Sequence, residues 1–524
     1  MERSSLTRRG LMGAATGLLA AKALPAWAGL RGAQPFTLGV ASGDPAPDGF
    51  VMWTRLAPDP LAPDGLGGLR APVPVTWEIA ADEGMRRVIR TGHTTADARL
   101  VHAVHVEAGG LEPDRPYWYR FTAMGERSPI GRARTAPAPG QRLDRVNFAF
   151  ASCSNWERGY FSAYRHMAQE QPDLVMFLGD YIYEGSTDPA KAPDLARRHQ
   201  TPDPVDLTGY RLRYASYHTD PDLQALHAAA PCLMTWDDHE VENDYSNQWS
   251  EWPKTDPAAF LKRRAGAYRA YYEHMPLRRR SIPRGPDMRV YDRFRYGDLL
   301  EVHLLDGRQY RTAMQACPTP EFRGGHPVGA DCAERTDPGR SMLGWAQEAW
   351  LFDGFKRSRA PWNIVAQDLL VAQGIGKDAR TGEPTWRTDA WDGYASTRTR
   401  VLDTIVQSRL ANPVFLSGDA HIFFVNDLKQ CWGDPSSPVV ATEFLGTSVT
   451  SDGAPAAAIP AVMGANPDIR LFEPRYRGYV SMTLTRERLE TRLRIISDRA
   501  DPKATVSTLK TYVVESGKAG AVEA

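Results

Sequence analysis

The feature that most constrains the fold is a series of short apolar runs, each followed by polar and chemically active residues. After Arg145, six such runs alternate with helical stretches, at residues 146–151, 174–178, 232–236, 299–305, 362–366 and 414–416. Apolar runs of this length, separated by helical stretches, are typical of buried strands in a layered α/β domain. The sequence therefore predicts an α/β domain over residues 141–524.

Polar side chains follow five of the six runs within a residue or two. They are Cys153, Asp180, Asp237, Asp238, His239, Asp306, Arg308, Asp419 and His421. Ligand sites in open α/β sheets lie beyond the carboxyl ends of the strands, so these side chains are expected to converge on one cleft. The remaining run leads into Gln367 and Asp368, which we expect at the margin of that cleft.

The polar residues at these strand ends resemble a ligand set for two metal ions. Asp180 follows Gly179, which permits a sharp turn, and a carboxylate in that position can bridge two cations. Tyr183 can turn its phenol toward the same point, and a phenolate ligand requires a strongly acidic ion such as ferric iron. Because the set is rich in oxygen and poor in imidazole, it favours calcium, magnesium, manganese or ferric iron over zinc.

Residues 35–134 have a different pattern from the rest of the chain. Short alternating, β-rich runs are separated by turn clusters such as 43–45 and 58–60, which predicts a small all-β sandwich of the fibronectin or immunoglobulin kind. The Ala/Pro-rich stretch 135–140 is interpreted as a linker. His102 and His105 are three residues apart on a predicted strand, so they face opposite sides, and we expect both at the surface.

Residues 1–28 have the pattern of a twin-arginine export signal. Arg8 and Arg9 precede an apolar Gly/Ala-rich stretch, and cleavage is expected after Ala28. A membrane anchor is the alternative, but Lys22 and Pro25 interrupt a stretch already shorter than the roughly 20 residues needed to span a bilayer. We therefore expect twin-arginine export machinery as a partner, a periplasmic or secreted location, and no integral membrane segment.

Charge and cysteine content restrict the remaining possibilities. The chain has 63 basic and 63 acidic residues, and removal of residues 1–28 leaves a net charge of about −3. No basic excess is therefore available for general binding of nucleic acid. Cys317 and Cys332 lie in a Gly/Pro-rich insertion of an exported chain and are predicted to form a disulfide.

Three motifs are similar to those of a known family. They are Gly-Asp-Tyr-Ile-Tyr-Glu at 179–184, Thr-Trp-Asp-Asp-His-Glu-Val-Glu-Asn at 235–243 and Gly-Asp-Ala-His at 418–421. They resemble the motif series of the calcineurin-like metallophosphoesterases and, more closely, the alkaline phosphatase D (PhoD) family. The order of signal peptide, β-sandwich and phosphoesterase domain matches that family as well, so the resemblance covers nearly the whole mature chain.

The resemblance implies Fe³⁺ and Ca²⁺ as cofactors and a role for individual residues. The implied iron ligands are Cys153, Asp180, Tyr183 and His421, with Asp180 as the bridging ligand. The implied calcium ligands are Asp238 and Asp419, with Asp237 and Asn243 as further candidates. His239 corresponds to the histidine beside the leaving group in the wider superfamily.

The resemblance also implies an exported, monomeric phosphomonoesterase or phosphodiesterase that uses a metal-activated hydroxide. Arg211, Arg213 and Arg308 are candidates for a bidentate clamp on the phosphate. Two alternatives remain: a phospholipase D-like hydrolase of phospholipid headgroups, and a non-catalytic protein that binds a cell-wall polymer.

Overall fold

The computed structural model describes residues 33–192 and 195–524. The predicted export signal at residues 1–28 lies outside these ranges. Within them, no helix combines the length and apolarity that crossing a bilayer requires.

The strands of the described residues follow one another along the chain in an N-terminal, a middle and a C-terminal group. The N-terminal strands are β1 (Val40–Ala46), β2 (Gly49–Arg55), β3 (Val73–Ala80), β4 (Val88–Ala96), β5 (Ala103–Ala108), β6 (Pro116–Ala123), β7 (Glu126–Arg127) and β8 (Gly131–Arg134). The middle strands are β9 (Arg145–Ala151), β10 (Leu174–Leu178), β11 (Pro231–Thr235), β12 (Asp292–Tyr296), β13 (Leu300–Leu304), β14 (Pro327–Val328), β15 (Trp362–Ala366), β16 (Gly376–Lys377) and β17 (Pro384–Arg387). The C-terminal strands are β18 (Pro413–Ser417), β19 (Phe423–Lys429), β20 (Val439–Leu445), β21 (Ile469–Glu473), β22 (Gly478–Thr485), β23 (Arg488–Ile496), β24 (Val506–Glu515) and β25 (Val522–Glu523).

Three of the helices begin at sequence signals for a helix start. The α-helices are α1 (Ser162–Gln169), α2 (Leu207–His218), α3 (Pro221–Ala229), α4 (Pro257–His274), α5 (Gly344–Arg357), α6 (Ala395–Ser408) and α7 (Ile459–Ala465). Asp206, Asp220 and Asp256 cap α2, α3 and α4, since each carboxylate accepts a hydrogen bond from a backbone N–H of the first turn. Proline at the first position of α3 and α4 reinforces both starts.

Two sheets pack face to face and are covered by helices. One has ten strands in the order β25-β24-β23-β22-β9-β10-β11-β1-β2-β5, and the other has seven in the order β12-β13-β15-β18-β20-β19-β21. Apolar side chains of both sheets form a common core between them. Side chains from α1 to α4 pack on the outer face of the first sheet, and side chains from α5 and α6 pack on the outer face of the second. The fold is therefore a mixed α/β arrangement of four layers.

Parallel pairing brings the active residues to one edge of the two sheets. β9, β10 and β11 are parallel neighbours in the first sheet, and β13, β15, β18 and β20 are parallel neighbours in the second. All five residues of β10, β11, β13, β15 and β18 are buried, which explains why these sequences are largely apolar. Glu301 and His303 on β13 and Asn363 on β15 are buried polar exceptions. The predicted buried runs are thus confirmed as strands.

The N-terminal strands share a sheet with the rest of the chain. β3, β4, β6, β7 and β8 form a separate sheet, whereas β1, β2 and β5 extend the ten-stranded sheet through parallel pairing of β1 with β11. The two sheets enclose a common apolar core. The stretch proposed as a linker, 135–140, follows β8, and its first residues Thr135 and Ala136 are buried. The N-terminal region is therefore tied to the rest of the fold by sheet pairing as well as by the chain.

The structure overturns one further prediction and confirms another. The expected surface position of His102 and His105 is wrong, because both are buried. His102 donates to the carbonyl of Leu69 and His105 to that of Leu277, so one nitrogen of each buried ring is paired, whereas Nδ1 of His102 and Nε2 of His105 have no hydrogen-bond partner. The predicted disulfide between Cys317 and Cys332 is confirmed.

Candidate functional site

The candidate ligands occupy sharp turns at the strand ends. Cys153, Asp180, Asp419 and His421 all have left-handed backbone conformations, with φ between 52° and 64°. Non-glycine residues rarely adopt this conformation, and they do so mainly where the surrounding structure holds a functional turn in place. Gly179 also has positive φ, and a Cβ there would lie 2.4 Å from Cβ of Asp237. Glycine is therefore required for the β10 and β11 ends to approach each other.

One group of potential ligand atoms joins three strand ends. The Sγ of Cys153 and donor atoms of Asp180 and His421 all lie within 4.8 Å of one another. Nδ1 of His421 donates to the carbonyl of Asp452 at 2.7 Å, which leaves Nε2 as the nitrogen with a free lone pair in the neutral ring. An imidazole oriented in this way is the usual arrangement of a metal-ligating histidine.

Tyr183 lies at the centre of this first group. Its hydroxyl donates to Oδ2 of Asp180 at 2.8 Å, accepts from Ser451 at 2.7 Å, and lies 3.0 Å from Nε2 of His421. Burial and the neighbouring Asp180 raise the pKa of this phenol well above its usual value. They raise the pKa of the Cys153 thiol as well. Deprotonation of either group in this position therefore requires a strong local positive charge.

A second group shares Asp180 with the first. Donor atoms of Asp180, Asp238 and His239 lie within 4.8 Å of one another. Nδ1 of His239 forms an ion pair with Oε2 of Glu184 at 2.6 Å, which leaves Nε2 free. The His239 ring also packs on Tyr183, with ring centroids 4.1 Å apart. Asp180 is thus the residue common to both groups.

Arg308 holds a cluster of buried carboxylates beside the second group. Its Nε contacts Asp237 at 2.5 Å and its Nη1 contacts Asp389 at 2.6 Å. Asp238 and Asp368 each lie 3.8 Å from the guanidinium. The guanidinium is therefore surrounded by four carboxylates, and Asp237 is engaged by Arg308 rather than belonging to either of the two ligand groups.

The cluster contains more acceptor atoms than its protein donors satisfy. The buried oxygens without a hydrogen-bond partner are Oδ1 of Asp180, Oδ2 of Asp237, both oxygens of Asp368 and Oδ2 of Asp389. Burial raises the pKa of Asp368 to about 7, and burial with the neighbouring Asp389 raises that of Asp419 well above its usual value. Unpaired buried carboxylates are costly, and bound cations are one means of compensating them. The residues present therefore fit hard metal ions.

Asp419 and Asn243 lie around the second group without belonging to it. Asp419 interacts electrostatically with Asp389, Asp238 and Asp180. The backbone N–H of Asn243 donates to Glu184, and its side-chain amide donates to Glu251. Asn243 thus contacts and positions Glu184, the hydrogen-bond partner of His239.

Two of the three candidate clamp arginines have other partners. Arg211 forms a bidentate pair with Glu273 on α4, with both N–O distances 2.7 Å. Arg213 is buried and donates to the carbonyls of Tyr183 and Glu184, so it supports the loop that carries them. Neither guanidinium contacts the carboxylate cluster, whereas Arg308 lies within it.

The three sequence motifs assign no role to Glu184, Asp389 or Ser451. Glu184 lies inside the 179–184 motif, so its place beside Asp180 was a usable signal. Asp389 comes from a loop far along the chain and contacts both Arg308 and Arg311. Ser451 bonds Tyr183 across a separation of 268 residues. For these two residues, no local pattern marks the contact.

Known protein families identify the class to which this fold and site belong. The family model for PhoD-like phosphatase matches residues 148–493, and the model for the PhoD-like phosphatase N-terminal domain matches residues 21–137. The chain belongs to the PhoD-like phosphatase family. It is accordingly a hydrolase of phosphate esters.

Individual relatives match almost the whole chain. Alkaline phosphatase D of Bacillus subtilis (strain 168) is 44% identical over 491 residues, which cover 93% of this chain and 82% of that protein. A solved structure described as "Structure of PhoD" has 43% sequence identity and a TM-score of 0.88, and the match covers 94% of this chain and 92% of that one. Because the structural match covers 94% of this chain, it includes the N-terminal strands as well as the two packed sheets.

Proposed function

We propose that the chain is an exported, metal-dependent phosphoesterase with a dinuclear site bridged by Asp180. The observation that carries the proposal is the sharing of Asp180 between the Cys153/His421 group and the Asp238/His239 group. A bridging carboxylate requires ligand atoms on both sides. Cys153 and His421 supply them on one side of Asp180 and Asp238 on the other, while His239 is kept for proton transfer. The name of the Bacillus subtilis relative, alkaline phosphatase D, supports the reaction class.

The two sides of the site differ in chemistry. Cys153, Tyr183 and His421 offer sulfur, phenol and imidazole, a set that suits Fe³⁺. Asp238 and Asp419, with Asn243 as a further oxygen donor nearby, suit Ca²⁺, which prefers oxygen ligands. Bound at these positions, the pair would supply positive charge to the phosphoryl oxygens and acidify a water molecule.

The protein side chains orient the reaction. Nδ1 of His239 is fixed by Glu184, and a ring nitrogen of His239 lies within 4.8 Å of donor atoms of Asp180 and Asp238. From that position it can hold a proton for the oxygen of the departing alcohol. Arg308 is already engaged by Asp237 and Asp389, and we propose that it sets the position of the second group rather than clamping the phosphate from solvent.

Export by the twin-arginine route is part of the proposal. It rests on the pattern of residues 1–28 and on the disulfide between Cys317 and Cys332, since such bonds persist in oxidising compartments. No contact in the described residues favours a phospholipid headgroup or a cell-wall polymer as the specific ligand.

Hydrolysis of matched substrates tests the proposed function. The wild-type chain is expected to hydrolyse p-nitrophenyl phosphate, bis(p-nitrophenyl) phosphate or both. Asp180→Asn should abolish this activity, and His239→Asn should lower kcat by about 100- to 10,000-fold, the usual contribution of a general acid. The matched control is Asp353→Asn, since Asp353 lies on α5 in a surface ion pair with Arg357. Full activity of Asp180→Asn would refute the proposal.

A further inference from the structure

Glu240 accepts three backbone hydrogen bonds beside Asp180. Its Oε2 accepts from the N–H of Asp180 at 3.1 Å and from the N–H of Asp237 at 2.8 Å. Its Oε1 accepts from the N–H of Tyr181 at 2.5 Å. The side chain is completely buried. Because backbone N–H groups occupy both oxygens, Glu240 is a partner of the backbone rather than a member of either ligand group.

These bonds begin where the pairing of two parallel strands ends. The last register pair between β10 and β11 is Leu178 with Thr235. The three N–H groups lie beyond that pair, so the ladder of the sheet does not provide their acceptors. Glu240 therefore continues the connection between the two strand ends through its side chain.

Asp180 needs this support because of its backbone conformation. Its φ of 52° lies in the left-handed region, which costs a non-glycine residue about 1–2 kcal/mol. Its N–H and that of Tyr181, the next residue, are both held by Glu240. A buried N–H without an acceptor costs about 1–3 kcal/mol, so loss of these bonds would favour a different turn. The direction of the Asp180 carboxylate depends on that turn.

The same side chain fixes Asp180 relative to the second ligand group. Asp238 and His239 directly precede Glu240 along the chain. Their turn is closed by a hydrogen bond from the N–H of Val241 to the carbonyl of Asp238 at 2.7 Å. The Glu240 side chain reaches from this turn to the Asp180 backbone. It therefore links the two elements whose side chains form the second group, and Asp180 belongs to the first group as well.

We propose that Glu240 is a positioning residue that sets the spacing between Asp180 and the Asp238/His239 turn, and with it the affinity of the site for both metal ions. This inference rests on the proposed function, in which Asp180 bridges the two ions. A carboxylate shared by two ions must keep its place relative to two sets of ligands, so a small shift of its backbone weakens both. Residues that hold metal ligands in place commonly contribute about 10- to 100-fold to metal affinity.

Glu240→Gln tests this role with little change in side-chain volume. The amide keeps one acceptor oxygen but turns an NH₂ group, which cannot accept, toward at least one of the three backbone N–H groups. Ca²⁺ titrated into chelator-treated protein should bind with a Kd about 10- to 100-fold higher than in the wild type. Iron per chain after purification, measured by elemental analysis, should fall as well. If this variant does not fold, Glu240→Asp carries the same test, since it keeps both oxygens on a side chain one methylene shorter.

Asp220→Asn separates positioning from general stabilisation. Asp220 is also a buried acid that accepts two backbone N–H bonds, from Asp222 at 2.9 Å and Leu223 at 3.2 Å. Its side chain pairs with Arg197 rather than with either ligand group. Denaturant unfolding in the presence of a chelator should show a loss of stability for both Asp220→Asn and Glu240→Gln. Only Glu240→Gln should show weaker binding of Ca²⁺ and a lower iron content.

The failures of the two proposals are distinguishable. If Asp180→Asn keeps both metals, the proposed function fails. If Asp180→Asn loses both metals but Glu240→Gln binds either one as the wild type does, the positioning role is refuted and the proposed function stands. Equal loss of metal binding in Asp220→Asn and Glu240→Gln would also refute the positioning role, because the effect would then follow from stability alone.

Discussion

Replacing Arg308 with methionine removes the cation at the centre of the buried carboxylate cluster. Arg308 is fully buried and contacts Asp237 and Asp389 at 2.5 and 2.6 Å. Asp389 retains Arg311 and Gln315 as partners, whereas Asp237 loses its cation. Breaking a buried ion pair from one side typically costs about 3–5 kcal/mol, because the remaining charge is left uncompensated. We expect a loss of about that size in the free energy of unfolding of Arg308→Met.

Denaturant unfolding at pH 7 in the presence of a chelator measures this loss. Arg308→Lys should fall between the wild type and Arg308→Met, because lysine keeps the charge but cannot reproduce the two-pronged contact. Arg357→Ala is the control, since its ion pair with Asp353 is exposed and should leave the midpoint unchanged within error. A loss below about 1 kcal/mol for Arg308→Met would refute the assignment of Arg308 as the main compensating charge.

Three other predictions concern the site, the insertion and acid stability. Tyr183→Phe removes a hydroxyl that contacts Asp180, so iron affinity measured by metal titration should fall at least about tenfold; unchanged affinity would exclude the phenol as a ligand. Reducing Cys317–Cys332, or replacing both cysteines with serine, opens a loop with a sequence separation of 15 residues and should cost about 3 kcal/mol in denaturant unfolding. Burial lowers the pKa of His105 to about 4, with Arg279, Glu107 and Arg269 as smaller influences. Because the unfolded state then binds more protons between pH 6.5 and 4, the chain should lose about 3 kcal/mol of stability over this range through this residue alone. Unfolding of His105→Asn should show a correspondingly weaker pH dependence, and an identical pH dependence would contradict the assignment.

The sequence predicted most of the strands that position the site. The runs at 174–178 and 362–366 coincide with β10 and β15, because parallel strands buried on both faces are mostly apolar, with Asn363 as the polar exception in β15. The sequence also predicted which strand ends carry polar residues, because these residues directly follow the apolar runs along the chain. Convergence of Cys153, Asp180 and His421 then follows from the parallel order of the strands.

The remaining features depend on contacts between distant segments. Pairing of β1 with β11 joins the N-terminal strands to the ten-stranded sheet, and no local pattern encodes a partner almost 190 residues away. Burial of His105 depends on the carbonyl of Leu277 and on stacking against Tyr272. The different positions of Arg211, Arg213 and Arg308 depend on partners that are remote in sequence: Glu273 for Arg211, the carbonyls of Tyr183 and Glu184 for Arg213, and buried carboxylates for Arg308. In each case the missing information was the identity of a long-range partner.

Metal content per chain tests the central claim most directly. Wild-type protein and the variants Asp180→Asn and Cys153→Ser would be purified from a host that exports them and measured by elemental analysis. The bridged site predicts that Asp180→Asn loses iron and calcium together, whereas Cys153→Ser loses iron and keeps calcium. Retention of both metals by Asp180→Asn, with activity intact, would contradict the account.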